Sequence, residues 1–344
     1  MNVAYHLTDN YARISGTSIV SLFENNKDVD EINVYLIENG FTQKTKDKFT
    51  ELANKYRRKI FFIPLPDLNG EGYDLGLVSI KKKWMFDSYS RLFLDRLLPE
   101  EVDRVIYLDG DVLVLGSLKE LWEMDLKGKC CAACMDCVSE PYYRLFKISP
   151  ENRYCNSGLI LMDLKAWKKK RIGEKVKRHV QKNNGYVFFM EQTVFNVVLQ
   201  NEIVYLPFKY NVSSLVQVLS YKDLVKLRKP LHFYSNKEVE DAKKNPIIVH
   251  MTGFFYVINR AWNEVTNHPD KTRFIEYCKM FDWGVPMLDK DNRTFGTKVK
   301  DTLVHCAPKC LMLGVVSLFY NNWRVKNIAR IGRKIERDKG KVLV

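Results

Sequence analysis

Asp109-Gly110-Asp111 follows the run Arg104–Leu108 (RVIYL) without a gap. Two carboxylates one residue apart at a strand end can both turn toward a single cation, and glycine permits the tight backbone between them. Hard carboxylate oxygens suit Mg²⁺ or Mn²⁺, and so few protein ligands leave coordination positions free for a diphosphate. A cation held there would orient the diphosphate and stabilise charge on it as it leaves. Asp-Gly is also a common turn dipeptide, so the pair alone reads more readily as a solvated turn. Its place after a buried strand, midway through a sheet, favours chemistry. A second polar set, Thr8-Asp9-Asn10-Tyr11, directly follows the apolar residues 3–7.

The elements that must carry these sets alternate. Residues 3–7, 32–37, 59–66 and 104–108 read as strands, the third closed by prolines. Residues 14–23, 43–56 and 88–98 have helical spacing. Such alternation predicts an α/β fold with a mostly parallel sheet covered by helices on both faces. Ligands in that architecture sit at the carboxyl ends of the strands, where both polar sets lie. A domain boundary is expected near residues 283–286, which divides the chain into a catalytic domain, 1–285, and a C-terminal region, 286–344.

The totals agree with a globular protein: 344 residues, 46% apolar and 12% aromatic. No stretch of about 18 uncharged apolar residues occurs, so no membrane-spanning segment is expected. The N-terminus enters a strand directly, without a basic and then apolar leader, so a cytosolic location is expected. Eight cysteines are present, four of them in the cluster Cys130, Cys131, Cys134 and Cys137. That cluster reads as a strand feeding a loop, with no second pair at zinc-binding spacing, so buried thiols are expected rather than a metal site. Of the net charge of +14, the last 55 residues supply nine, from 13 Lys+Arg against 4 Asp+Glu. An acidic surface is therefore the expected partner of that region.

Residues 86–126 (FDSYSRLFLDRLLPEEVDRVIYLDGDVLVLGSLKELWEMDL) resemble the signature region of the family 8 glycosyltransferases, a retaining group that includes glycogenin and bacterial lipopolysaccharide glucosyl- and galactosyltransferases. Other segments match the family in order: Thr8-Asp9-Asn10-Tyr11, residues 154–162 (YCNSGLILM), Glu191-Gln192 and His250-Met251-Thr252-Gly253. The resemblance covers about residues 1–283 and implies a GT-A-type nucleotide-diphospho-sugar transferase fold, a mostly parallel mixed sheet flanked by helices with a basic helical tail. It also implies a UDP-sugar donor, Mn²⁺ or Mg²⁺ as cofactor, and transfer of a hexose to a saccharide or lipid-linked glycan acceptor in surface polysaccharide synthesis.

By the same resemblance Asp109, Asp111 and His250 hold the metal ion, and a nitrogen ligand beside two carboxylates favours Mn²⁺. His250 alone reads as a buried core histidine; the Thr252-Gly253 that follows lets backbone N–H groups approach phosphate. Tyr11 would stack on uracil with Asn10 hydrogen-bonding nearby, whereas Thr8 stands where bacterial relatives often carry aspartate, which weakens that base contact. Arg91 would reach the donor phosphates or sugar, and Asp136 and Asn156 would hydrogen-bond the transferred sugar. Glu191 and Gln192 would sit beside the anomeric carbon; the family offers only the Gln192 amide on the far face, so a front-face route with short-lived oxocarbenium character is implied. The family's Lys-Pro-Trp step is replaced by a longer stretch, FFYVINRAW, so Arg260 either takes that lysine's place at the diphosphate or is displaced by the insertion.

In the tail, residues 311–320 (LMLGVVSLFY) are too short to span a bilayer. They lead into a run with Ile328, Ile331 and Ile335 on one helical face and Arg324, Lys326, Arg330, Arg333 and Lys334 around it. That pattern predicts an interfacial helix on the anionic inner face of the cell membrane, with packing of the helix on the domain as the alternative. Two other classes compete for the whole chain. An aspartyl-phosphate-type phosphohydrolase would want its Asp pair on the leading strand and Thr or Val two places beyond the second Asp, where Leu113 stands. A non-catalytic protein binding anionic surfaces would also be basic, but no nucleic-acid motif is present and nucleic acid is not expected as a partner.

Overall fold

A computed structural model describes residues 1–77 and 87–338. Phe86, which opens the signature run, and the side chains of Lys334 and Ile335 lie outside the described residues. The strands of the first half are β1 (Asn2–Thr8), β2 (Asn33–Asn39), β3 (Lys59–Pro64), β4 (Arg104–Leu108) and β5 (Val112–Val114). Those of the second half are β6 (Cys131–Met135), β7 (Cys155–Asp163), β8 (Ile203–Tyr205), β9 (Val212–Ser213) and β10 (Ile248–His250). They form a seven-stranded sheet in the order β3-β2-β1-β4-β7-β6-β8 and a three-stranded sheet in the order β5-β10-β9.

The large sheet is parallel except at β7, which runs antiparallel to both β4 and β6. Side chains alternate between two cores, as the period of a strand requires. Val3, Tyr5, Leu7, Ile106, Leu108, Leu159 and Leu161 pack on one face. Ala4, Val105, Tyr107, Ile160 and Met162 pack on the other. Each fully buried aliphatic side chain contributes about 1.5–3 kcal/mol, which makes the double-faced sheet the rigid part of the molecule. The cysteines of residues 130–137 lie in or beside β6, and all four are buried and free.

Two readings from sequence need adjustment. Helix Gln43–Tyr56 begins on a Thr42 side-chain cap, as its spacing predicts, but residues 88–98 do not form one helix. A 3₁₀ segment, Ser88–Phe93, precedes a single α-turn, Leu94–Leu97. Its carbonyls are drawn elsewhere: Arg91 Nε donates to the Ser88 carbonyl and Trp167 Nε1 to that of Leu92. The 3₁₀ winding turns Arg91 inward.

The second adjustment concerns the tail. Helices Phe295–Cys306, Lys309–Leu318 and Arg324–Asp338, the last two joined by a π-turn at Phe319–Trp323, lie against the sheet domain. Tyr142 Oη donates to the Tyr320 carbonyl at 2.7 Å, and the Arg228 guanidinium sits 4.1 Å above the Tyr320 ring. Asn321 and Ser317 donate to the carbonyls of Leu227 and Lys226. Ile328, expected on a lipid-facing stripe, is buried among Tyr142, Tyr143 and Tyr320, because that face meets the domain first. The exposed apolar side chains belong to the preceding turns: Phe295, Leu303, Leu311, Val315, Leu318 and Trp323. Among the described residues no single helix is long and apolar enough to cross a bilayer.

Candidate functional site

Topology brings the functional side chains to one end of the sheet. Strand β4 runs out into Asp109, and β7, being antiparallel, starts at that same end with Asn156-Ser157-Gly158. The Asp109 N–H donates to the Gly158 carbonyl at 2.8 Å. Strand β5 starts directly after Asp111 and pairs antiparallel with β10, which puts His250 opposite Val112. A residue 139 positions downstream is thereby fixed beside the carboxylates.

Ligand atoms of Asp109, Asp111 and His250 lie within 4.8 Å of one another. His250 Nε2 is 3.1 Å from Asp111 Oδ1 and 3.7 Å from Asp109 Oδ2. Two hard oxygens and one imidazole nitrogen converging in this way fit a Mn²⁺-type donor set with room for further ligands. Burial alone would raise the Asp111 carboxyl, but His250 and Arg260 outweigh it and hold the group at about 2. Burial alone would lower His250, and the neighbouring Asp111 and Asp109 reverse that and raise it. Two glycines make the cluster tight. A Cβ on Gly158 would lie 2.4 Å from His250 Cε1 and 2.8 Å from Asp109 Oδ2. A Cβ on Gly110 would lie 2.2 Å from Ser15 Oγ, so this glycine admits helix Ala12–Glu24 beneath the turn; its φ is not positive.

Arg91 is buried beneath the carboxylates. Its guanidinium pairs with Asp109 at 2.9 Å and with Glu191 at 3.6 Å, and donates to the Ser157 carbonyl at 2.9 Å. It stacks 4.5 Å over Tyr107, whose hydroxyl donates to Asp109 Oδ1. Burial alone would lower its pKa, but Asp109, Tyr107 and Glu191 keep it charged. A buried cation so engaged orients Asp109 and Glu191.

Asn156, Gln192 and Asp136 form one chain: Asn156 Nδ2 donates to Gln192 Oε1 at 3.1 Å, and Gln192 Nε2 to Asp136 Oδ2 at 3.1 Å. Glu191 and Gln192 occupy the first turn of helix Met190–Val198, which is entered through two left-handed residues, Phe189 (φ 55°) and Met190 (φ 50°). Ser88 Oγ donates to Glu191 Oε2 at 2.6 Å.

Arg260 does reach the cluster despite the longer stretch before it. Its Nη1 donates to Asp111 Oδ2 at 2.9 Å and to the Met251 carbonyl at 2.7 Å, with the guanidinium half-exposed. Tyr11 packs edge-on against Trp262 at 5.6 Å, and Arg260 lies 5.5 Å over the same indole. Thr8 ends β1 without a side-chain cap bond. Asp9 turns away to accept from the Thr42 N–H, which leaves Asn10 exposed at the rim of an open cavity of about 870 Å³ shared with Arg13, Lys48 and Asp289. A Cβ on Gly253 would meet Arg260 at an ordinary 3.8 Å, so its neighbours do not demand glycine there.

Asn211 is the residue that reading the sequence missed. It is buried just ahead of β9, with its side chain 3.1 Å from His250 Nδ1 and bonded to Asn156. A polar residue directly before a short strand was the only signal.

The family model described as Glycosyl transferase family 8 matches residues 2–264. General stress protein A of Bacillus subtilis (strain 168) is 26% identical over 286 residues, 82% of this chain and 94% of that protein. A lipopolysaccharide 1,2-glucosyltransferase of Escherichia coli (strain K12) is 26% identical over 296 residues, 85% of this chain and 80% of that protein. Among solved structures, the galactosyltransferase LgtC in complex with donor and acceptor sugar analogs superposes with a TM-score of 0.66 at 19% identity. That likeness covers 87% of this chain and 100% of that one, and it establishes the fold, GT-A-type, alone. With the family model matched from the first strand to beyond His250, the chain belongs to glycosyl transferase family 8 and is a glycosyltransferase.

Proposed function

We propose that this protein transfers a hexose, glucose or galactose, from a UDP-sugar to a saccharide or lipid-linked glycan with retention of anomeric configuration, in the synthesis of a surface polysaccharide. The observation that carries the reading is the convergence of Asp109, Asp111 and His250 within 4.8 Å at the carboxyl end of β4. Those three residues would hold a divalent cation, Mn²⁺ by the mixed nitrogen and oxygen set, with Mg²⁺ as the lesser fit. When bound, such a cation neutralises charge on the departing diphosphate.

The protein's own groups would do the rest. Arg260, half-exposed and already at Asp111, would swing its free guanidinium nitrogens to the diphosphate, in the place of the family lysine. Thr8, Asn10 and Tyr11 would receive the uridine, and the backbone at Gly110 and Gly253 would approach the phosphates. Asn156 and Asp136 would hold sugar hydroxyls. Glu191, oriented by Ser88 and Arg91, would lend negative charge near the anomeric carbon.

Gln192 Oε1 already accepts from Asn156 Nδ2 and the Ser157 N–H, and Nε2 donates to Asp136. An amide oxygen with both lone pairs engaged is a poor nucleophile and a fixed dipole. This favours a front-face route, with the rate drawn from positioning and electrostatics. Neither a phosphohydrolase nor a non-catalytic basic protein has a comparable observation in its favour.

The division into a catalytic domain, 1–285, and a C-terminal region, 286–344, belongs to the same proposal, with the second part docking the enzyme on the cytoplasmic face of an anionic membrane. The exposed side chains of Leu311, Val315, Leu318 and Trp323, followed on the same helical flank by exposed Lys326, Arg330 and Arg333, support that docking. The test of the catalytic reading is UDP release from UDP-glucose and UDP-galactose with Mn²⁺, with product NMR for linkage and anomer. Turnover with one donor, lost on chelation and in Asp111→Asn, is expected. No turnover with either donor, or an Asp111→Asn variant as active as the parent, would overturn it.

A further inference from the structure

We propose that Asn211 is a positioning residue of this transferase, one that sets which nitrogen of His250 carries the proton and locks that choice to the sugar-side amides. The starting point is a group that cannot be flipped. The Gly158 N–H donates to the side-chain atom of Asn156 at 2.9 Å, so that atom is the oxygen. The same oxygen lies 2.8 Å from an Asn211 side-chain atom, which must therefore be the NH₂ group. The other end of the Asn211 amide is then the oxygen, and it faces His250 Nδ1 at 3.1 Å. An acceptor at Nδ1 requires the proton there.

In the neutral ring the lone pair consequently belongs to Nε2, the atom turned to Asp111 and Asp109. The inverse tautomer would set an Nδ1 lone pair against an amide oxygen inside a buried site, which is costly, while the Nε2 lone pair, 3.1 Å from Asp111 Oδ1, is relieved once a cation or a second proton lies between them. Going the other way, Asn156 has its oxygen occupied twice and can only donate to Gln192 Oε1, and Gln192 can then only donate to Asp136. Five side chains are thus polarised in one direction from His250 to Asp136, with Asn211 as the link between the metal side and the sugar side. Asn211 is itself buried, so water does not supply an alternative partner cheaply.

The inference rests on the metal reading for its consequence but not for its geometry, and two measurements separate them. The first is ¹H–¹⁵N NMR of the His250 ring without metal, in the parent and in Asn211→Leu, at a pH below 6.5 where both ring nitrogens carry protons. A slowly exchanging Nδ1–H is expected in the parent and a freely exchanging one in Asn211→Leu; an Nδ1–H that exchanges freely in the parent overturns the proposal whatever the metal does. The second is Mn²⁺ affinity by EPR titration without any sugar nucleotide. Asn211→Leu, which loses both bonds, is expected to weaken it by about 10–100-fold, the usual effect of removing such a supporting partner. Asn211→Asp keeps an acceptor for Nδ1–H and is expected to retain most of the affinity while losing the Asn156 bond. Equal Mn²⁺ affinity in the parent and in Asn211→Leu, with the latter folded by circular dichroism, also overturns the proposal. A parent with a slowly exchanging Nδ1–H and no Mn²⁺ binding would instead remove the metal reading and leave the tautomer assignment standing.

Discussion

His250 and Gly158 show how a few ångströms decide what this site can hold. A methyl group on Gly158 would have to displace His250, the Asp109 carboxylate or the Asn156 amide, all within 3 Å of it. Gly158→Ala is therefore expected to cut UDP-sugar turnover by at least about tenfold, a loss of roughly 1.4 kcal/mol, while the overpacking also lowers the melting temperature. Unchanged Mn²⁺ affinity in that variant would count against the shared pocket. The pH behaviour follows from the same neighbours. His250 is raised above its ordinary 6.5, chiefly by Asp111 against the opposing effect of burial. Without metal, the stability that protonated His250 contributes is full below 6.5 and is lost as pH rises through the raised folded value. Asp111 behaves oppositely: its contribution is present above the ordinary carboxylate range and is lost only as pH falls toward about 2. Metal binding needs the Nε2 lone pair, so the thermal shift produced by Mn²⁺ should grow as pH rises through the His250 titration, with proton release seen by calorimetry in two buffers. A shift that shrinks with rising pH would exclude His250 as a ligand.

Strand β6 and the helices after residue 294 make a prediction about elements. Cys130, Cys131, Cys134, Cys137, Cys155 and Cys278 are buried, whereas Cys306 and Cys310 are exposed on the C-terminal helices. Burial pushes the Cys130 and Cys134 thiols up to about 12, so neither offers thiolate near neutral pH. A maleimide should label the two exposed thiols of the native protein within minutes and the other six only after unfolding, counted by mass spectrometry. Rapid labelling of the cysteines near β6 would mean that this edge of the sheet opens. The same strand shows how far periodicity reaches. Residues 130–137 were legible as a strand with buried thiols, and 104–108 as a buried strand, because a continuous apolar run has few other homes. The 3₁₀ winding at Ser88–Phe93 was not legible, since one of the bonds that accompanies it comes from Trp167, far along the chain, to the Leu92 carbonyl.

At the scale of the whole molecule, charge and exposed apolar surface fall together on the C-terminal helices. The flank that starts at Leu311 is apolar, passes through the stacked pair Phe319 and Trp323, 4.8 Å apart, and ends in exposed Lys326, Arg330 and Arg333. That gradient matches an interface with hydrocarbon at one end and anionic headgroups at the other. The protein should float with phosphatidylglycerol-containing vesicles and much less with neutral phosphatidylcholine, the difference shrinking at high salt. Leu318→Asp together with Trp323→Ser should abolish flotation, since each buried side chain carries about 1.5–3 kcal/mol, while UDP release in solution stays as in the parent. Retained flotation in that double variant would sink the docking face, and a concentration-dependent dimer lost in it would assign the face to a second copy of the chain instead.

Local pattern by itself determined the strand–helix alternation, the carboxylate pair at the end of a buried strand, and the basic surplus of the last 55 residues. These depend on neighbours a few positions apart, whose spacing is written in the chain. The family's motifs named His250 and Gln192 in advance, but only tertiary structure decided how those residues are held. The antiparallel turn of β7 brings Asn156 to Asp109, the β5–β10 pairing sets His250 across from Val112, and burial sets Arg91 against Asp109. Asn211 belongs to the same class. Its partners lie 39 and 55 residues away, and no spacing rule links groups that meet only after two sheets have closed on one another.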